Sequence, residues 1–208
     1  MIKHRKHVLL QILSARSVLM GVVTVLILML AACGSNTITT PTSPVATTLP
    51  PSPTAESFPI KVYFSKSPES ENNFSAVFPV DRVSPTRQVG TFAIQSLIAG
   101  PTPAERTQGY FSELGSLLSG SSNCSSSSPT GGPDFQLTLN RRGTVTEQDT
   151  ATLQFCRAIN SPGIGADARV TAEINATLKQ FPTIKNVVIL TKEGHCFGDE
   201  SGLDHCLK

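Results

Sequence analysis

The 208-residue chain has no tryptophan and only two tyrosines, and aromatic residues make up 6% of it. A groove that stacks sugars or bases on broad rings therefore has little material to work with. Charged residues are also scarce, at 15%. Four of the 17 basic residues (Lys3, Arg5, Lys6 and Arg16) fall in the first sixteen positions, leaving 13 basic against 15 acidic residues, or −2, over the rest. Beyond that point no basic cluster exceeds Arg141-Arg142. Nucleic-acid binding is excluded on this charge pattern. There are four histidines, two of them in the first seven residues, so the body of the chain has only His195 and His205 for proton transfer near neutrality.

What the N-terminus does contain is an address. A basic, acid-free opening leads into VLMGVVTVLILML (Val18 to Leu30) and then Ala31-Ala32-Cys33-Gly34. Basic n-region, short apolar h-region and small exit residues are the features of an export signal, here residues 1–32. The uncharged stretch, Ser17 to Ala32, is shorter than the roughly 20 residues a bilayer span needs, so an uncleaved anchor is the second reading. Leu30-Ala31-Ala32-Cys33 resembles the bacterial lipobox. That resemblance implies lipidation of Cys33, cleavage before it, and a location on the extracytoplasmic face of the cell membrane.

Residues 34–55, GSNTITTPTSPVATTLPPSPTA, are uncharged and hold seven Thr and five Pro. Repeated proline favours extended geometry at roughly 3.1 Å per residue, and so little apolar surface cannot offset the entropy of folding. Residues 33–57 read as a tether. The remaining 150 or so residues suffice for one core.

Within 58–194, Ile60–Phe64 and Ala76–Val80 read as strands, the second at an edge because of Pro79. Pro85–Ala99 places Val89, Phe92, Ala93, Ser96 and Leu97 on one helical face, with Ser84 or Thr86 as cap and Gly100-Pro101 as stop. Phe135–Leu139 and Ala151–Phe155 alternate as half-buried strands. Ala166–Gln180 carries an apolar stripe of Val170, Ile174, Thr177, Leu178 and Phe181, with Glu173 read as a solvated charge on the far side. Asn186–Leu190 is continuously apolar and reads as a central strand. The order β-β-α-β-β-α-β predicts an α+β two-layer domain, a mixed sheet with two helices on one face. Seven serines in residues 119–128 mark a low-complexity loop.

Three stretches carry a family resemblance: QSLIAGPTPAE (Gln95–Glu105), GYFS (Gly109–Ser112) and QFPTIKNVVI (Gln180–Ile189). They resemble the GerMN domain of sporulation and spore-germination lipoproteins. The resemblance implies a small α+β fold similar to ring-building motifs. It also implies a non-catalytic role in envelope assembly, with an envelope protein or a second copy as partner.

The tail, residues 195–208, reads HCFGDESGLDHC up to Cys206 and admits three chemistries. Export favours oxidised cysteines. After Cys33, the four that remain (Cys124, Cys156, Cys196 and Cys206) make two disulfides with three connectivities, of which Cys196–Cys206 is the local option, leaving Cys124–Cys156. Zinc prefers spaced ligand pairs, and adjacent His195-Cys196 cannot easily turn to one ion. Asp199, Glu200 and Asp204 lack the alternating order of a calcium loop. The tail is thus expected to be stapled, with no metal and no cofactor. No nucleophile-elbow context accompanies His195 or His205, so no catalytic residue is assigned and the chain is expected not to be an enzyme. A peptidoglycan-binding or -processing accessory is the alternative function.

Overall fold

The computed structural model describes residues 56–124 and 133–208. The export signal, Cys33, the tether as far as Ala55, and much of the serine-rich loop lie outside the described residues.

The first strand, β1 (Phe58–Lys66), pairs antiparallel with β2 (Phe78–Ser84), joined through a one-turn helix, α1 (Glu69–Asn72). Then come α2 (Val89–Ala99), α3 (Pro103–Thr107), β3 (Tyr110–Phe111), α4 (Leu114–Leu117) and β4 (Leu118–Ser119). The second half runs β5 (Phe135–Arg142), β6 (Val145–Phe155), β7 (Ala158–Ile159), α5 (Ile164–Lys179) and β8 (Asn186–Leu190), with a 3-10 turn at His205–Leu207. The long elements follow the expected order, and the class is α+β. The strands do not form one sheet, however. They divide into β2-β1-β3, β4-β7 and the mixed sheet β5-β6-β8, where β6 pairs antiparallel with β5 and parallel with β8.

One core joins these pieces. Ile60, Val62 and Phe64 alternate inward from β1 and meet Ala93, Ile94 and Leu97 of α2. Val170, Ile174 and Leu178 of α5 and Ala151, Leu153 and Phe155 of β6 complete it. The two helices pack against each other and against β1.

The sheets are separate because α5 lies along the side of β1 that β2 leaves open. The N–H groups pointing away from β2 are met by helix side chains instead of a strand. Lys61 N–H donates to Gln180 Oε1 (2.7 Å), Tyr63 N–H to Thr177 Oγ1 (3.1 Å) and Ser65 N–H to Glu173 Oε1 (3.0 Å). The spacing permits it. Two residues of strand advance about 6.7 Å, four residues of helix about 6 Å, and the long glutamine arm covers the three-residue step from Thr177 to Gln180.

Glu173 is therefore not the solvated charge its identity suggests. Its residue is 1% exposed, and Ser112 Oγ donates to Oε2 at 2.7 Å. Burial pushes its carboxyl up to about 7, against the lowering donors Ser112 and Ser65, with the nearby Glu113 charge adding to the rise. Glu113 is itself held by Arg169 of α5 at 2.7 Å.

Two further expectations are corrected. Ser84 and Thr86 do not cap α2, whose N-cap is Gln88; the Ser84 hydroxyl instead donates to Thr86 O and accepts from Thr86 N–H, closing a turn ahead of the helix. Asn186–Leu190 is a terminal strand of its sheet and β6 is the central one. Its continuous apolarity has another cause: Val187 and Ile189 face the main core, while Val188 and Leu190 meet Cys196, Cys206 and Leu207 of the tail. A strand covered on both faces reads as central whatever its place in the ladder.

The GPTPAE stretch is a helix stop followed by a helix start. Gly100 ends α2 with φ 77°, a left-handed backbone that suits glycine. Thr102 and Glu105 then form a reciprocal capping box on α3 with Pro103 in its first turn. The Glu105 carboxylate also takes both Nη1 and Nη2 of Arg82 at 2.7 Å, tying α3 to β2.

The buried acid makes stability pH-dependent with a definite sign. Folded Glu173 keeps its proton to about pH 7, whereas an unfolded glutamate releases it near 4.3. Stability falls as pH rises between those values, by about 4 kcal/mol in all. Glu173→Gln is expected to flatten most of this slope in urea unfolding measured from pH 5 to 8. An unchanged slope would place the carboxylate in a solvated setting.

Candidate functional site

The tail residues folded together by the structure form the candidate site. After β8 the chain turns at Thr191–Gly194, where Gly194 has φ 91° and donates its N–H to Thr191 O at 3.0 Å. It then runs back along the outer edge of β8: Thr191 N–H donates to His195 O (2.7 Å) and Phe197 N–H to Ile189 O (2.9 Å). The returning segment shields part of an edge that would otherwise be open.

Two aspartates organise the remainder. Asp204 Oδ1 accepts from Cys196 N–H (2.8 Å), and Oδ2 lies 3.0 Å from His195 Nδ1. Asp199 Oδ1 accepts from Ser201 N–H (3.0 Å), and Oδ2 from His205 N–H (3.2 Å). The Cys196–Cys206 disulfide closes the loop, with Cα atoms 5.9 Å apart. Outside the loop, Arg142 Nη1 donates to Cys206 O at 2.7 Å, while its guanidinium also binds Glu147. Leu207 packs beside Gly143, where even a methyl group would come within 2.8 Å of its Cδ2. The second disulfide joins Cys124 to Cys156, which is fully buried, and so pins the near end of the serine-rich loop to the end of β6.

Electrostatics in the tail are those of an exposed ion pair. The hydrogen bond and charge of Asp204 raise the His195 pKa above its ordinary value, and His195 in turn lowers that of Asp204. His205 is not brought to His195: the two lie on opposite arms of the loop, and His205 is engaged through its backbone to Asp199. Among the described residues, the group with metal-ligand spacing is Cys196, Asp199 and Asp204. A half-cystine offers no thiolate, and both oxygens of each aspartate already hold backbone or histidine donors, so these residues do not suit zinc.

Sequence reasoning missed Asp167, which lies in the first turn of α5 beneath the tail and is 8% exposed. Its distance in sequence from the tail gave no signal. Gly198, at φ 74°, lets the loop pass over it, a Cβ there lying 3.6 Å from Asp167 Cβ.

Two outcomes follow for the tail. Cys196→Ser with Cys206→Ser should lower unfolding stability by roughly 3 kcal/mol, the entropy of a ten-residue closure, as read by urea denaturation. The His195 ring should titrate above pH 6.5 by NMR and return toward that value in Asp204→Asn. Because its folded pKa is raised, the pair helps at low pH and its contribution fades as pH rises through that value. A ring that titrates identically in both proteins would break the pairing.

Comparison with known proteins gives one family and little else. No curated protein matches the chain. A crystal structure of a provisionally named lipoprotein from Clostridium perfringens aligns over 68% of this chain and 80% of that one, at 17% identity and a TM-score of 0.28, too slight a likeness to bear on the fold. The model of the Germane family, described as sporulation and spore germination, matches residues 61–195. That span runs from β1 through β8 and stops as the stapled loop begins. Matched over more than half its length, the chain belongs to the Germane sporulation and spore germination family.

Proposed function

We propose that the protein is a lipid-anchored, extracytoplasmic member of this family that works by binding, as an assembly or interaction module of the cell envelope with no active site. One observation carries the non-catalytic reading. Two shielded acidic groups outside the tail are spent on the fold: Glu173 on the β1 edge and Ser112, Glu105 on a helix start and Arg82. General acid–base catalysis needs such groups turned toward a substrate, paired and tuned. His195 has an orienting aspartate, but its ring is largely exposed and its bonded neighbours serve backbone.

Association has surfaces to use. The outer edges of β2 and β5 are unpaired in their sheets, and Val83 of β2 and Leu139 of β5 are more than half exposed, as is Val145 where β6 begins. An extended partner segment or a second copy can add to such an edge through main-chain bonds, with the apolar side chains giving specificity. The anchoring reading rests on Leu30-Ala31-Ala32-Cys33 after a short apolar run, and no helix among the described residues is long and apolar enough to cross a membrane.

Cys33→Ala should abolish palmitate labelling and leave the precursor unprocessed; labelling that persists would exclude lipidation at this residue. Purified protein should release no product from peptidoglycan, esters or peptides, and in-cell crosslinking should trap an envelope protein or a second copy. Turnover of a cell-wall substrate that disappears in His195→Ala or His205→Ala would show an enzyme.

A further inference from the structure

Unpaired strand edges invite another chain, and proteins guard them with proline, charge or a covering segment. This fold guards most of its long edges. The open side of β1 is bonded by Gln180, Thr177 and Glu173 of α5. The outer edge of β8 is covered by the returning tail through Thr191 and Phe197. Along β2 stand Pro79, Asp81 and Arg82, a residue without an N–H and two charges. The outer edge of β5 has no such guard among the described residues. From Phe135 to Asn140 it reads FQLTLN, with no charge and no proline. It stays in register with β6 as far as Leu139.

A concavity of about 650 Å³ lies beside that bare edge, between β5 and the start of α2. It is lined by Leu137 and Leu139 of the strand, Val89 and Gly90 of the helix, and Phe181 and Ile184 from the turn after α5. The helix starts so close to the strand that a Cβ on Gly90 would lie 3.2 Å from Leu137 Cδ2. Leu139, the last residue in register, is more than half exposed. Exposed hydrocarbon beside unpaired main-chain groups is matched by an extended strand with apolar side chains on one face and polar ones on the other. FQLTL is itself such a strand, with Leu137 and Leu139 on one face and Gln136 and Thr138 on the other. A two-fold axis makes one patch face itself, so a charged edge would set like charges against each other. Any register of FQLTL against itself brings together only amide, hydroxyl and hydrocarbon groups.

We propose that β5 pairs antiparallel with β5 of a second copy about a two-fold axis, joining the two mixed sheets and covering the concavity of each with the leucines of both. Such a contact is isologous and closes at two copies, unlike a head-to-tail ring. The bend at Asn140, whose φ is 56°, confines the pairing to Phe135–Leu139. So short a contact is weak in dilute solution and gains from copies held side by side by an anchor. It therefore rests on the anchored assembly reading given above.

The test is photocrosslinking of the full-length chain in intact cells, with p-benzoylphenylalanine in place of the exposed Gln136. Irradiation should give a covalent dimer, the label joined by mass spectrometry to residues 135–140 of the other copy. Leu139→Lys, at an exposed position, should lower the dimer yield tenfold or more without changing the abundance of the chain. Thr138→Lys, which leaves the apolar wall intact, should do the same by bringing like charges together across the pair. The label at Val83 of β2 should give no dimer. The proposal is overturned if position 136 yields no dimer, if the dimer persists in both lysine variants, if Val83 yields it equally, or if the product is a ladder above two copies. Capture of a different envelope protein from position 136 overturns the pairing and leaves the assembly reading standing. Labels at both positions that capture nothing, with no partner trapped by general crosslinking of the unaltered chain, overturn both.

Discussion

The side-chain ladder between α5 and the open side of β1 is the contact on which the remaining architecture rests. Three strand amides that would otherwise face solvent or apolar side chains are bonded by Glu173, Thr177 and Gln180 of one helix face. The Ser65 bond is the buried one of the three, and its donor left orphaned would cost on the order of 1–3 kcal/mol. With the ladder in place, a helix can stand where a fourth strand would have continued the sheet. That separates β2-β1-β3 from β5-β6-β8 and leaves α5 packed against β1 of the first sheet and β8 of the second. It also explains why an acid sits in the core. A hydrophobic residue at position 173 could not receive Ser65 N–H or the Ser112 hydroxyl.

The tail follows a different logic. Small, turn-forming and acidic, it has little apolar surface beyond Cys196, Cys206 and Leu207 to hold it down on Val188 and Leu190. Covalent closure and the two aspartates replace a core. Arg142 links the tail to the β5–β6 hairpin through Cys206 O, and the same guanidinium holds Glu147 in the irregular stretch where the two strands lose register after Leu139. The tail is thus fastened both to this irregularity and to the outer face of β8, two parts of the family domain.

Much of the fold was legible because burial here follows regular periods. Val170, Ile174, Thr177 and Leu178 recur at three and four and all face inward; Phe135–Leu139 and Ala151–Phe155 alternate and pair in register. The family motifs were legible too, since Gly100, Pro101 and Pro103 have backbone requirements that survive in any context. Glu173 was misread because two signals conflicted. Its spacing from Val170 and Thr177 put it on the buried stripe, whereas its charge argued for water, and only the partner amide on a strand 108 residues away decides between them. Strand β8 was misplaced for a similar reason: a sequence shows that both faces are covered but not by what. Asp167 had no local signature at all, because its burial is created by a glycine loop that returns from the far end of the chain.

The ladder is most directly tested by amide hydrogen exchange resolved residue by residue. Ser65 and Tyr63 N–H should exchange as slowly as Val62 and Phe64, whose N–H groups face β2. In Glu173→Ala, protection should fall at Ser65 while persisting at Lys61, which depends on Gln180. Fast exchange at Ser65 and Tyr63 in the unaltered protein would mean that α5 does not complete the edge of β1, and the explanation given for the buried acid and for the divided sheets would fall with it.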